Sequence, residues 1–113
     1  MEIGTYKGEV KDFESFIEYI NTLAVIISEM FGQNCEVVVS DLDNPDHAVL
    51  AIYNGEVTGR KVGDPLNTRS EELIERSIGG YNINYKKANK KIKKEIKSST
   101  IVTKAFGRNI SFC

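Results

Sequence analysis

The single histidine, His47, stands beside Asp46, and a few residues further on comes the run "NGEVTGRKVGDP", residues 54–65. These are the stretches in which this chain would do chemistry if it did any. A Ser-His-Asp or Cys-His nucleophile needs the imidazole held between nucleophile and carboxylate. The sequence places neither a serine nor one of its two cysteines, Cys35 and Cys113, next to His47, so the histidine reads as a turn residue and no catalytic residue is assigned. One histidine and two distant cysteines also leave a zinc site short of ligands, and no metal or cofactor is expected. The glycine run raises the question of phosphate. A phosphate loop follows a strand and opens a helix, with a Gly-Lys-Ser/Thr end or a Gly-x-Gly-x-x-Gly spacing. Gly55, Gly59 and Gly63 are instead spaced by four, and neither pattern is present. Asn54, Gly55, Gly59 and Gly63 therefore read as a structural loop, with Asn54-Gly55 a tight turn at positive φ. Arg60, inside that loop, has two readings: an ion pair with Asp41, or a contact with a small anionic ligand such as a carboxylate.

The segment "YKKANKKIKKEIK", residues 85–97, holds seven lysines and one glutamate. Clustered lysines bind phosphate backbones. They also keep strand edges from pairing with other sheets, and beyond Tyr81 and Tyr85 there is little aromatic interleaving for base stacking. A basic accessory nucleic-acid-binding module is thus the alternative reading of function. The net charge of the whole chain is −1, which gives no global pull toward nucleic acid or membrane, but its distribution is uneven: 11 of the 16 acidic residues lie at or before Glu56 and 13 of the 15 basic residues lie after it. With 113 residues, no linker and no repeat, the chain is one domain. It shows no secretory signal and no apolar run long enough for a bilayer, so a reduced, cytoplasmic protein is expected.

Positioning these residues falls to a helix and several strands. Phe13, Phe16, Ile17, Ile20, Leu23, Ala24, Ile27, Met30 and Phe31 recur at three- and four-residue steps, which predicts a helix over about 12–32, capped by Asp12 and stopped by Gly32. Val25 and Ile26 fall off that stripe and point to a second buried contact, within the chain or with another copy. Cys35–Leu42 and His47–Tyr53 read as strands joined by the "DNPD" turn. Residues 67–80 read as a short helix with capping-box spacing at Thr68 and Glu71. Alternation then predicts a strand at Tyr81–Tyr85, a turn at "KKANKK", a strand at Ser98–Phe106, a turn at Gly107-Arg108-Asn109, and a fifth strand beginning at "ISFC". An ending in mid-strand suggests a piece of a longer gene product. This order is α+β: a five-stranded antiparallel sheet with helices on one face and an N-terminal flanking helix.

These features resemble the YheO-like PAS domain family of bacterial transcriptional regulators. The resemblance rests on Asn34-Cys35-Glu36 opening the first strand, Asp41-Leu42 closing it, the turn with Pro45 and His47, and "AIYNGEVTGRKVGDP" with its glycines in register. "NINYKK" and "IKSST" are similar to the family's later strands. It covers roughly Phe13 to Cys113, so residues 1–113 form one such domain, with a core of about 33–113. The chain departs from the family at Ser40, where a histidine is common, and no role of that histidine carries over. The resemblance implies a sensory and dimerisation domain of a DNA-binding regulator, with a helix-turn-helix beyond the C-terminal end of this chain. It also implies a ligand space between the inner sheet face and the helical connection. Tyr53, Arg60, Tyr85 and Ser99 offer polar tips for a small-molecule effector there. A homodimer through the first helix, using Val25 and Ile26, is expected.

Overall fold

A computed structural model describes residues 8–66, 81–89 and 94–113. Helix α1 (Phe13–Phe31) starts as the sequence predicts: the Asp12 carboxylate accepts from the Ser15 backbone N–H at 2.8 Å while Ser15 Oγ accepts from the Asp12 N–H, a reciprocal cap that satisfies two donors left over by the first turn. Gly32, at φ 83, ends it and donates to the Ser28 carbonyl. Among the described residues, no helix is long and apolar enough to cross a membrane.

The strands are β1 (Val37–Asp41), β2 (Val49–Tyr53), β3 (Tyr81–Asn89), β4 (Lys94–Ala105) and β5 (Arg108–Phe112). All neighbours are antiparallel, in the order β2-β1-β5-β4-β3. The α+β class is therefore as the sequence reads it. The helix expected over 67–80 lies outside the described residues. Three local readings shift. His47 is not a strand residue but closes a short 3-10 turn, Pro45–His47, with its Nδ1 3.2 Å from the Gly63 carbonyl. The lysine segment is no six-residue turn, because β3 runs on to Asn89 and β4 begins at Lys94. The β4–β5 turn is Phe106-Gly107, both at positive φ, so Arg108 and Asn109 already belong to β5. A two-residue turn with two left-handed positions matches the strand twist and wins over the longer loop.

Residues directly opposite in an antiparallel pair share a face. One face carries Val37, Val39 and Asp41 of β1 with Ala51 and Tyr53 of β2 and Ile110 and Phe112 of β5. Helix α1 packs here: Ala24, Val37, Val39 and Ile110 form a buried cluster, with Phe13, Phe16, Ile17, Ile20 and Ile27 against it. The other face carries Val38, Ser40, Ile52, Ser111 and Val102. Every residue of β1 is buried, so both faces of this strand are covered.

The seam between β1 and β5 joins the β1–β2 hairpin to the β3–β4–β5 meander. It is fixed by charge. Asp41, 1% exposed, accepts from the Arg108 guanidinium and from the Asp43 backbone N–H. The same guanidinium lies 4.1 Å over the Phe13 ring, where a cation is attracted to the ring face, so α1 is tied to the seam as well. Two residues on, the Asp43 carboxylate accepts from the Asn109 backbone N–H and side-chain amide, and the backbone bond above all holds its pKa below the usual carboxylate value. Asp41 therefore pairs with Arg108, not with Arg60 as one sequence reading has it. The partner switches because β5, not the loop, runs beside the end of β1.

Arg108→Met leaves the Asp41 carboxylate buried without its cation. With the guanidinium itself partly in water, the expected loss is about 2–3 kcal/mol in urea unfolding, and Asp41→Asn in the same chain should restore a good part of it. A loss no larger than that of Lys104→Met would show that the pair does not hold the seam.

Candidate functional site

The glycine loop does gather N–H groups around a carboxylate, and the carboxylate is the chain's own. Glu36, one residue before β1, accepts from Thr58 N at 3.0 Å, from Thr58 Oγ1 at 2.8–2.9 Å and from Arg60 Nη2 at 2.7 Å. Its side chain is almost fully buried, and a buried carboxylate needs this set of donors. Arg60 Nε donates to Thr58 Oγ1 as well, which fixes the plane of the guanidinium. From Val57 to Lys61 each backbone N–H has a partner inside the protein: Asn54 O, Glu36, Gly55 O, Thr58 Oγ1 and Asp64 in turn. These five backbone donors are thus engaged within the protein and do not converge on an outside anion.

Asn54 supplies the second grip. It sits in the left-handed region at φ 60, which asparagine tolerates better than most residues. Its side-chain amide donates to the carbonyls of Cys35 at 2.9 Å and Gly32 at 3.1 Å, with Ser28 O at 3.4 Å. These are the carbonyls at and just after the end of α1, so Asn54 closes the helix that the sequence ends with Gly32. The loop thus wraps residues 32–36. It then returns along the open edge of β2, with Gly63 N to Val49 O at 2.9 Å and Val49 N to Asp64 O at 3.1 Å. The expected Asn54-Gly55 hairpin turn is corrected on two points. The chain enters a 3-10 turn, Gly55–Val57, instead of a new strand, and only Asn54 takes positive φ. Gly55 is needed for space: a Cβ there would lie 2.8 Å from the Arg60 carbonyl oxygen and 3.2 Å from Ile52 Cδ1. Gly59 and Gly63 supply the left-handed conformations, at φ 77 and 89.

The other chemically distinctive place is the face opposite α1. There Ser40 of β1 lies directly opposite Ser111 of β5, and both are buried, between Val38, Val49 and Val102. In the next row Thr100 Oγ1 donates to Cys113 Sγ at 3.1 Å. Hydroxyls and a thiol lie together on a sheet face that also carries Val38, Val49, Ile52 and Val102, with Lys104 and Asn109 toward its end. Burying hydroxyls costs free energy unless they are hydrogen-bonded, so a polar floor in a buried face suits a polar guest better than a hydrocarbon core. Ser40 is also the position at which the sequence departs from the family it resembles.

The four residues proposed from sequence as ligand contacts divide between the faces. Tyr53 packs beneath α1, opposite Val37. Ser99, one residue from Thr100 in β4, belongs to the α1 face by alternation and is exposed. Position 85 pairs with Ser98 and so belongs to the opposite face. Arg60 stands at the Glu36 end of β1 and is already engaged by that carboxylate. Sequence reading missed Ser40, Ser111 and Glu36. A signal existed for the serines, since "NISFC" alternates apolar Ile110 and Phe112 with Ser111 and Cys113, but which residue faces Ser111 depends on the seam. Among the described residues no His, Cys, Asp and Glu side chains gather in a group of three that would hold a metal ion.

Gly55→Val should cost about 1–3 kcal/mol by forcing the Arg60 carbonyl or Ile52 aside. Gly63→Ala, with open space around its Cβ, carries only the backbone strain, about 1–2 kcal/mol. Chemical denaturation of both variants checks the order. An unchanged midpoint for Gly55→Val would remove the packing argument.

Comparison with known proteins adds the following. The sequence model of a family described as YheO-like PAS domain matches residues 11–113. "Uncharacterized protein YheO" of Escherichia coli (strain K12) is 30% identical over 66 residues, covering 58% of this chain and 26% of that protein. A protein of Shigella flexneri with the same name matches equally. An "Uncharacterized protein" of Haemophilus influenzae is 40% identical over 40 residues, covering 35% of this chain and 18% of that one. The matches thus span about a quarter or less of these relatives' length. No solved structure matches.

Proposed function

The chain belongs to the YheO-like PAS domain family, and from that premise we propose that it is the sensory and dimerisation domain of a longer, cytoplasmic DNA-binding transcriptional regulator. Its part is regulatory, with no catalytic step of its own. It holds a small polar effector against the sheet face opposite α1, in the space that a PAS-like fold leaves on that side. The buried pair Ser40–Ser111, with Thr100 and Cys113 in the next row, is the observation that carries this reading. Tyr85 and Arg60 stay as candidate contacts at the margins of the same face, while Tyr53 and Ser99 would need to reach it from the α1 side. DNA contact belongs to a helix-turn-helix segment beyond this chain.

A thermal-shift screen against amino acids and small polar metabolites tests the effector. A compound present at about ten times its Kd should raise Tm by roughly 5 °C. The Ser40→Ala, Ser111→Ala double variant should keep its fold and lose the shift. A shift that survives in the double variant would place the effector elsewhere, and no shift from any compound would sink the idea.

The same reading makes the domain a homodimer through α1. Val25 and Ile26 are both exposed in the single chain, and burial of such side chains contributes up to about 1.5–3 kcal/mol each. Twofold dimers are the commonest closed assembly and match paired DNA half-sites. Sedimentation at micromolar concentration should show a dimer for the wild type and a folded monomer for Val25→Glu, Ile26→Glu. A folded monomer in both would end the dimer reading.

A further inference from the structure

Asn54-Gly55 is the one Asn-Gly pair in the sequence. In such a pair the asparagine side-chain amide is open to attack by the next backbone nitrogen, because glycine puts no side chain in the way. The fold requires both residues. Asn54 holds a left-handed conformation, φ 60 and ψ 41, and a Cβ at Gly55 would lie 2.8 Å from the Arg60 carbonyl oxygen. A bulkier residue after Asn54 would slow the attack, and the loop has no space for one.

The same amide has a structural task. Asn54 Nδ2 donates to the carbonyls of Cys35, Gly32 and Ser28. Helix α1 has no basic residue in its last turn, so this NH2 group is what meets the negative end of the helix dipole. Ring closure needs Asn54 Cγ to turn onto Gly55 N and Nδ2 to leave. An Nδ2 held by these carbonyls opposes both.

We propose that Asn54 is a site of intramolecular deamidation, shielded while its amide grips the end of α1 and open to reaction when the loop lifts away. Gly55 N attacks Asn54 Cγ, and the new N–Cγ bond closes a succinimide ring. The Cγ–Nδ2 bond breaks, and Nδ2 leaves as ammonia with the Gly55 amide proton. Water then opens the ring at one carbonyl or the other. The product is aspartate, or isoaspartate in which the main chain runs through Cγ. Either one replaces an NH2 donor by a carboxylate facing carbonyl oxygens at the negative end of a helix. Isoaspartate also lengthens the main chain beside Gly55, where there is no room for an added carbon. The grip does not re-form, so the reaction makes an opening of the loop permanent.

The chain is incubated in mildly alkaline buffer, folded and in urea, then digested for mass spectrometry. Residue 54 should gain about 1 Da, at least about tenfold more slowly in the folded chain. Equal rates overturn the shielding. Modified chain, refolded and separated by its extra negative charge, is then followed by hydrogen exchange beside Asn54→Asp. Aspartate tolerates the left-handed backbone, so this variant changes little besides the donor. In both, the Gly32 and Cys35 amides, which donate to the Ser28 and Gly32 carbonyls, should exchange at least about tenfold faster than in the unmodified chain. The Val38 and Cys113 amides, which join β1 to the end of the chain, should be unchanged. Unchanged exchange at Gly32 and Cys35 overturns the latch. Equal acceleration at Val38 and Cys113 also overturns it, because Asn54 then supports the whole fold and not one helix end.

Discussion

The arrangement depends on a carboxylate that has to be buried. Asp41 ends β1 at the point where two separate antiparallel units meet, and it is neutralised by an arginine 67 residues away. Removed from water, an unpaired carboxylate costs more than most single side chains contribute. Registers of β1 against β5 that separate Asp41 from Arg108 are therefore disfavoured, and a slip of one residue would also move every side chain of β1 to the opposite face. The pair fixes the seam. The seam then decides that Val37 and Val39 lie beneath α1 and that Ser40 meets Ser111.

The other end of β1 repeats the device with different parts. Glu36 is enclosed by Thr58 and Arg60, while Asn54 holds the carbonyls just before it. The two ends are thus held by two buried acids and two arginines, one arginine from a loop and one from a strand. The backbone donors of this loop from Val57 to Lys61 are organised around internal acceptors, Glu36 among them. This explains how a glycine-rich, arginine-bearing run beside a strand serves packing.

A single flanking helix on a wide sheet leaves apolar surface on both partners. Burial of Ala24, Val37, Val39 and Ile110 stabilises the single chain, but the helix is too narrow to extend the same cover to Ile101 and Tyr81. Exposed apolar side chains gathered in one place mark an interaction surface more often than chance. The polar floor of β1, β5 and β4 and the exposed strip at Ile101 and Tyr81 lie on opposite faces of the sheet, and β4 carries part of each.

What the sequence by itself determined was local. The stripe of α1, its Asp12 cap and its Gly32 stop are legible because a helix's hydrogen bonds and its 3.6-residue period are made within one segment. The strands are legible as alternation between turn residues, and the family is legible in the ordered run around Asn54–Pro65. The partners of charged and polar groups were not legible. Arg60 has acids at several distances, and only the return of the loop over residue 36 selects Glu36 over Asp41. Gly55 looks like a turn glycine, yet its requirement is the Arg60 carbonyl that the folded loop brings against it. Ser111 reads as an ordinary strand serine until β5 is laid beside β1 and sets it against Ser40. These contacts join residues far apart in the chain, and the register that creates them is decided by which charges can be buried together. That balance exists only in the assembled sheet.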